Sequence, residues 1–168
     1  MELPPPPPPM FGYGPLAKSP GSRHSALSIS GGIAALVAAI ITAVACFLPY
    51  AHYSASDGGP TAPSIFNGGF AGSWGYALEP LIVVLVAIVG GVMLLAPIGR
   101  MVRALASGVL LAIGLQTVAL FIGYAIAAIV GSQLGEGSIV GMVGGVILLA
   151  AGAMGAASLL SPEPGPGR

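Results

Sequence analysis

The chain has 168 residues, five basic and five acidic, for a net charge of zero, and 55% of it is hydrophobic. Charged residues make up 6% of the chain, where a soluble domain devotes about a quarter, so a water-facing surface could not be covered. A nucleic-acid binder is excluded as well, because it needs a basic stripe. The apolar residues run in long blocks, the mark of an integral membrane protein.

Residues 1–28 open with Pro4 to Pro9 and continue through Phe11-Gly12-Tyr13-Gly14-Pro15. A proline run favours polyproline II, which has no internal hydrogen bonds and stays solvated. The rest of the segment has almost no branched apolar residues, so a disordered tail is expected. It is either a docking segment for a reader of Pro-rich motifs or a plain low-complexity extension.

A hydrocarbon core about 30 Å thick needs about 20 apolar residues of helix. Four stretches supply them, at about 29–50, 78–96, 104–130 and 139–160. No Asp, Glu, Lys, Arg or His lies within them, apart from Glu79 at the edge of the second. One ionised residue near a span centre costs about 2.5–3.5 kcal/mol on the insertion scale, so all four are expected to insert. Each must satisfy its own backbone hydrogen bonds in lipid. The fold class is therefore all-α, a transmembrane four-helix bundle over 29–160 with an external loop at 51–77 and a short tail at 161–168. The third stretch is longer than the bilayer requires and should tilt, or leave its first turn in the interface.

Lys18 and Arg23 precede span one, Arg100 and Arg103 fill the link between spans two and three, and Arg168 ends the chain. With four spans these segments share one side, and the two opposite loops contain no Lys or Arg. Asp57, Glu79 and Glu136 lie on that opposite side. The positive-inside rule then places both termini in the cytoplasm of a multi-pass cell-membrane protein. A rival reading takes Ala43-Val44-Ala45-Cys46 as a lipobox behind an n-region of Lys18 and Arg23. Against it, Ala stands where Leu is usual, and the apolar run continues through Phe47-Leu48-Pro49-Tyr50. Cys46 reads instead as a small buried residue, and a single cysteine leaves no internal disulfide or CxxC motif.

The loop over 51–77 holds Tyr53, Phe66, Phe70, Trp74 and Tyr76, with Tyr50 just before it, so six of the eleven aromatics gather at one face. Tyr and Trp join an apolar ring to a polar tip and favour the membrane boundary. An interfacial belt of Tyr50, Tyr53, Trp74 and Tyr76 is expected; the other reading is a small external cap, such as a short hairpin, that binds an envelope component. Glu79-Pro80 reads as a helix start, since Pro is tolerated in a first turn and an acid there complements the dipole. His52, Asp57, Glu79 and Glu136 have no spacing that resembles a metal-ligand motif, so solvated loop residues are the expectation and no metal or cofactor is implied.

Small residues recur at helical spacing. In span three Gly108, Ala112, Gln116, Ala119, Gly123 and Ala127 fall within an arc of about 100°. Span four has Gly141, Gly145, Gly152 and Ala156 on one arc, and span one has Gly31, Ala35, Ala38, Thr42 and Ala45. Lipid offers no hydrophobic drive for helix association, so close backbone approach through small residues must hold the bundle. These faces are expected to meet inside it. Gln116, the most polar side chain deep in any span, should bond across helices to Thr42 or to a backbone carbonyl, and a solute-contacting role is the alternative. Tyr124, about two turns further on, is placed to reach water or the loop.

Several activities lack their residues. No span carries the central acid of a proton-coupled exporter, which argues against the small multidrug transporters. No CxxC serves thiol oxidation, both histidines lie outside the spans, and no Walker loop, HExxH or nucleophile–base pair exists. A Pro/Gly-rich tail, a first span closing in Phe47-Leu48-Pro49-Tyr50, and Gly72-Ser73-Trp74-Gly75 leading into a second span resemble small four-span membrane proteins of high-GC Gram-positive (actinobacterial) species. In many of those the first span closes with Leu-Pro-Trp, where Tyr50 stands here. The resemblance covers roughly 30–130 and implies no activity, since that group is largely without assigned function. The function expected is that of a non-enzymatic membrane component assembling with envelope proteins through its spans or Pro-rich tail. The alternative is a small channel or transporter subunit, with Gln116 and Thr117 lining a path in an oligomer.

Overall fold

The computed structural model describes residues 26–52, 62, 64–66, 74–131 and 133–160. The tails at 1–25 and 161–168, including Lys18, Arg23 and Arg168, lie outside the described residues, as do Tyr53, Asp57 and Phe70. In chain order the elements are α1 (Ala26–Phe47), β1 (Ala51–His52), α2 (Trp74–Leu95), α3 (Arg100–Gly131), β2 (Gln133–Leu134) and α4 (Glu136–Leu160). All four helices are long and apolar enough to cross a membrane, and together they form a transmembrane four-helix bundle.

α1 stops at Phe47 because Leu48 precedes Pro49, and a residue before proline is pushed out of the α region. α2 stops at Leu95 for the same reason, ahead of Ala96-Pro97. At its other end α2 starts four residues before the expected span, at Trp74, so Pro80 lies inside the helix and not at its start. Pro80 is fully buried there, and its ring has no N–H to donate to the preceding turn. α3 runs for 32 residues, about 48 Å at 1.5 Å per residue. Its first turn contains Arg100 and Arg103, which the sequence alone put in a link.

The helices form a ring in which α4 packs between α1 and α3, α1 packs between α4 and α2, and the seam between α2 and α3 is the thinnest of the four. On α1, and in part on α2 and α4, side chains sort by size and not by polarity. Ala35, Ala38, Ala87 and Ala151 are fully buried, while Ile40 is 65% and Leu85 62% exposed. The physical reason is that lipid solvates Ile and Leu as well as the protein interior does, so only close approach distinguishes inside from outside.

α4 carries glycine on two sides. A Cβ at Gly145 would lie 2.9 Å from Val118 N, one at Gly152 would lie 2.8 Å from Leu111 N, and one at Gly141 would strike the Phe121 ring. These three positions therefore line the α3 seam. On the α1 side a Cβ at Gly137 would lie 2.7 Å from the Leu48 carbonyl oxygen, and one at Gly144 would lie 2.5 Å from Thr42 Oγ1. α1 answers with Ala38, Thr42 and Ala45, all buried.

β1 and β2 pair antiparallel, Ala51 with Leu134 and His52 with Gln133. The clip joins the end of α1 to the α3–α4 turn, so among the described residues β1 pairs across the chain and not in a hairpin within its own loop. Gly135 N–H donates to the Tyr50 carbonyl at 3.0 Å and Gly137 N–H to that of Pro49 at 2.8 Å. Ser138 Oγ also donates to the Tyr50 carbonyl, at 3.2 Å. One of the opening N–H groups of α4, that of Gly137, which has no partner within its own helix, is thus taken up by the segment that follows α1.

Candidate functional site

The stripe on α3 overturns one expectation. Ala112, Gln116 and Ala119 are exposed, and among the described residues nothing lies within 4 Å of where a Cβ would stand at Gly108 or Gly123. That face points away from the bundle, not into it. α3 packs through the opposite side, where Leu110, Thr117 and Phe121 are buried and Gly114 lies against Leu148 and Leu149. Small residues permit close approach, but α4 is already notched by glycine and accepts the bulky side of α3.

Gln116 also has a different partner from the one expected. Its Nε2 donates to Glu79 Oε1 at 2.8 Å. Thr42 Oγ1 is left with no hydrogen-bond partner although fully buried, and Thr117 Oγ1 turns back to the Ile113 carbonyl at 2.6 Å. Thr117 therefore does not share a lining face with Gln116. Glu79 is no loop-edge acid, because it stands in the second turn of α2. Helical rise places it about 24 Å from Leu95, and Gln116 about 24 Å from Arg100. Antiparallel helices joined by a short link bring positions equidistant from that link to one depth. Counting outward from residues 96–99 would have found the pair.

The pair sits in a groove of about 300 Å³ between α2 and α3, lined by Leu78, Glu79, Ile82, Val83, Ile113 and Gln116. Val83 is buried and Ile113 half-buried, which makes them the floor, while Leu78 and Ile82 are exposed at the rim. Gln116 gives one of its two amide N–H donors to a carboxylate oxygen. The groove is left with two acceptors, the Gln116 carbonyl oxygen and Glu79 Oε2, and the second Gln116 N–H, in apolar walls. Glu79 is the second residue of the apolar span Leu78–Leu95, so the pair stands toward one end of that span.

The remaining polar groups bind the bundle together. Arg100 Nη2 donates to the Leu159 carbonyl at 2.6 Å, placing a cation on the C-terminus of α4, where the helix dipole favours it. Arg103 is buried, and its Nε donates to the Ile98 carbonyl at 3.2 Å. Ser28 Oγ donates to the Leu94 carbonyl at 2.7 Å, tying the start of α1 to the end of α2. Cys46 is buried and hydrogen-bonds the Thr42 carbonyl at 3.1 Å.

The aromatics divide. Tyr50 is buried, against the expectation of an interfacial ring. Its centroid lies 5.8 Å from that of Tyr124, which meets Phe121 edge-on at 5.7 Å. Tyr124 is buried too, so it does not reach water, and this cluster packs beneath the strand clip. Trp74 and Tyr76 fall in the first turn of α2. His52 Nε2 meets Glu136 Oε2 at 3.1 Å on the exposed rim, while Glu79 is engaged elsewhere, so these side chains do not gather. Among the described residues no group of three or more His, Cys, Asp or Glu forms a metal-binding cluster.

Fold and site together define a multi-pass transmembrane four-helix protein with a carboxylate–amide pair in a lateral groove. No family model, curated protein or solved structure matches the chain.

Proposed function

We propose that the chain is a non-enzymatic component of the cell membrane, with both termini cytoplasmic, that assembles with other membrane proteins through the outward face of α3. The observation that carries this reading is the open stripe of Gly108, Ala112, Ala119 and Gly123, with clear space where a Cβ would stand at both glycines. Small side chains facing lipid contribute nothing to the bundle, yet they let a further helix approach to backbone contact. Gln116, midway along the stripe, adds a polar group suited to bonding across such a contact. The orientation is supported by the cations, all five of which fall in segments on one side of the four spans. The Pro-rich tail offers a second route to a partner, a reader of Pro-rich motifs. The resemblance to small actinobacterial four-span proteins fits a membrane of that kind. A channel or transporter subunit is the second reading, and the Glu79–Gln116 groove is what favours it.

Crosslinking with mass spectrometry on native membranes tests the proposal, comparing the wild type with a Gly108→Leu, Gly123→Leu double variant. A reproducible partner that is lost in the variant, with bundle stability not lowered, supports assembly through α3. Crosslinks that persist in the variant, or no reproducible partner in the wild type, refute it. Solute flux in liposomes from a homo-oligomer would favour the second reading.

A further inference from the structure

The geometry points to the α2–α3 groove as a binding site for a single-chain amphiphile headed by a protonated primary amine. The groove offers a carboxylate and two acceptor positions, Glu79 Oε2 and the Gln116 carbonyl oxygen, with one of the two Gln116 Nε2 N–H groups given to Glu79 Oε1. Among the described lining residues the second Gln116 N–H is the one donor left, and the negative charge of Glu79 has no cation beside it. An ammonium is the reciprocal group, with one positive charge and three N–H donors that can divide between the two oxygens. A hydroxyl would supply one donor and no charge, and a carboxylate head would be repelled.

The protein does not supply that cation from its own described residues. Arg100 is held by the Leu159 carbonyl and Arg103 by that of Ile98, both at the far end of α3. Helical rise separates Gln116 from that end by about 24 Å. His52 pairs with Glu136 on the strand rim. A second copy in the same orientation would bring another Glu79 to this depth, not a base. The occupant is therefore a different molecule. The groove is open at its side, and Leu78 and Ile82 at the rim are exposed apolar side chains suited to a hydrocarbon tail. Its volume of about 300 Å³ stands at the small end of ligand sites, enough for one head and the first part of one chain.

The test uses the full chain in phosphatidylcholine nanodiscs and a chain-labelled nitroxide alkylamine, whose immobilised fraction is read by electron paramagnetic resonance against empty nanodiscs. The matching alcohol and trimethylammonium probes form the other arms. The amine should show a saturable immobilised component, the alcohol none, and the trimethylammonium one several-fold weaker for want of N–H donors. Glu79→Gln should weaken amine binding about tenfold or more, on the scale of one charged hydrogen bond, and Gln116→Leu should weaken it less. Glu136→Gln, at the opposite rim position, should leave it unchanged. Equal immobilisation of amine and alcohol on the wild-type protein overturns the site, and that comparison holds even where a variant fails to fold. Unchanged amine binding in a Glu79→Gln protein of wild-type helicity overturns it as well. Trimethylammonium binding as tight as the amine overturns the two-acceptor geometry. Displacement of the amine by an added spanning peptide that carries one lysine at this depth would assign the groove to a protein partner and overturn the amphiphile.

Discussion

Replacing Gly145 and Gly123 separately with alanine adds the same methyl group to two membrane helices, and the structure assigns the two changes opposite signs. At Gly145 the new Cβ would stand 2.7 Å from Val118 Cγ2, 2.9 Å from Val118 N and 3.2 Å from the Gly114 carbonyl oxygen. Two of those three atoms are backbone, so no rotamer change relieves the contact and α3 must move away from α4. Parting two packed surfaces by 0.5–1 Å forfeits about a quarter to a half of each dispersion contact. The α3–α4 seam is the most extensive in the bundle, and in lipid no hydrophobic term replaces what is lost. Overpacking of this kind costs about 1–3 kcal/mol, offset by about 0.5–1 kcal/mol from the helix preference of Ala over Gly. The net expectation for Gly145→Ala is a loss of about 0.5–2 kcal/mol. At Gly123 nothing lies within 4 Å, so only the preference term acts and the variant should gain up to about 1 kcal/mol. Reversible unfolding in mixed micelles of rising SDS fraction, followed by far-ultraviolet circular dichroism, measures both. Shifts of the same sign, or an unchanged Gly145→Ala, would refute the assignment of α3's inner and outer faces.

Further outcomes follow from single contacts. Thr42→Val removes a buried hydroxyl that has no partner; stability should hold or rise by about 1 kcal/mol, and a clear loss in the same assay would show that the hydroxyl is satisfied. Gly135→Ala places a Cβ on the backbone of Pro49 and Tyr50, so the strand clip should open and hydrogen exchange at the position-135 amide and at that of Gly137 should quicken while the middle of α4 stays protected. Arg100→Gln should lower the unfolding midpoint modestly, because an exposed group gives up its bond to the Leu159 carbonyl. A reporter fused after Arg168 should be active only in the cytoplasm; activity confined to the external compartment would invert the proposed orientation.

Arginine shows how one residue serves two ends. As charges, Arg100 and Arg103 support an orientation. As donors they accept the cost of standing at the N-terminus of their own helix, where the dipole is unfavourable to a cation. Arg100 offsets this by lying against the C-terminal carbonyls of α4. Both roles require a long, permanently charged side chain with several donors.

The number of helices, their approximate bounds and their place in a membrane were legible in the chain, because the length of an apolar run and the absence of charge within it are local properties. The boundaries moved where local rules compete: Pro80 suits a first turn, yet α2 extends back to Trp74. The glycines of α4 were legible as a packing surface, and so were Ala35, Ala38 and Ala45 of α1. The sense of the α3 stripe was not. In water, a polar face would have marked the outside of α3; in lipid both faces are apolar, and size alone cannot say which one meets α4. Only the tertiary arrangement turned Phe121 and Leu110 inward and left Gly108, Ala112 and Gly123 outward. The same holds for the polar pair. Composition located Glu79 and Gln116, but their meeting depends on two helices running antiparallel from a short link and stopping at one depth. In a chain with so few charges the apolar runs mark the four spans, and the close approach of its helices decides which of its few polar groups find one another.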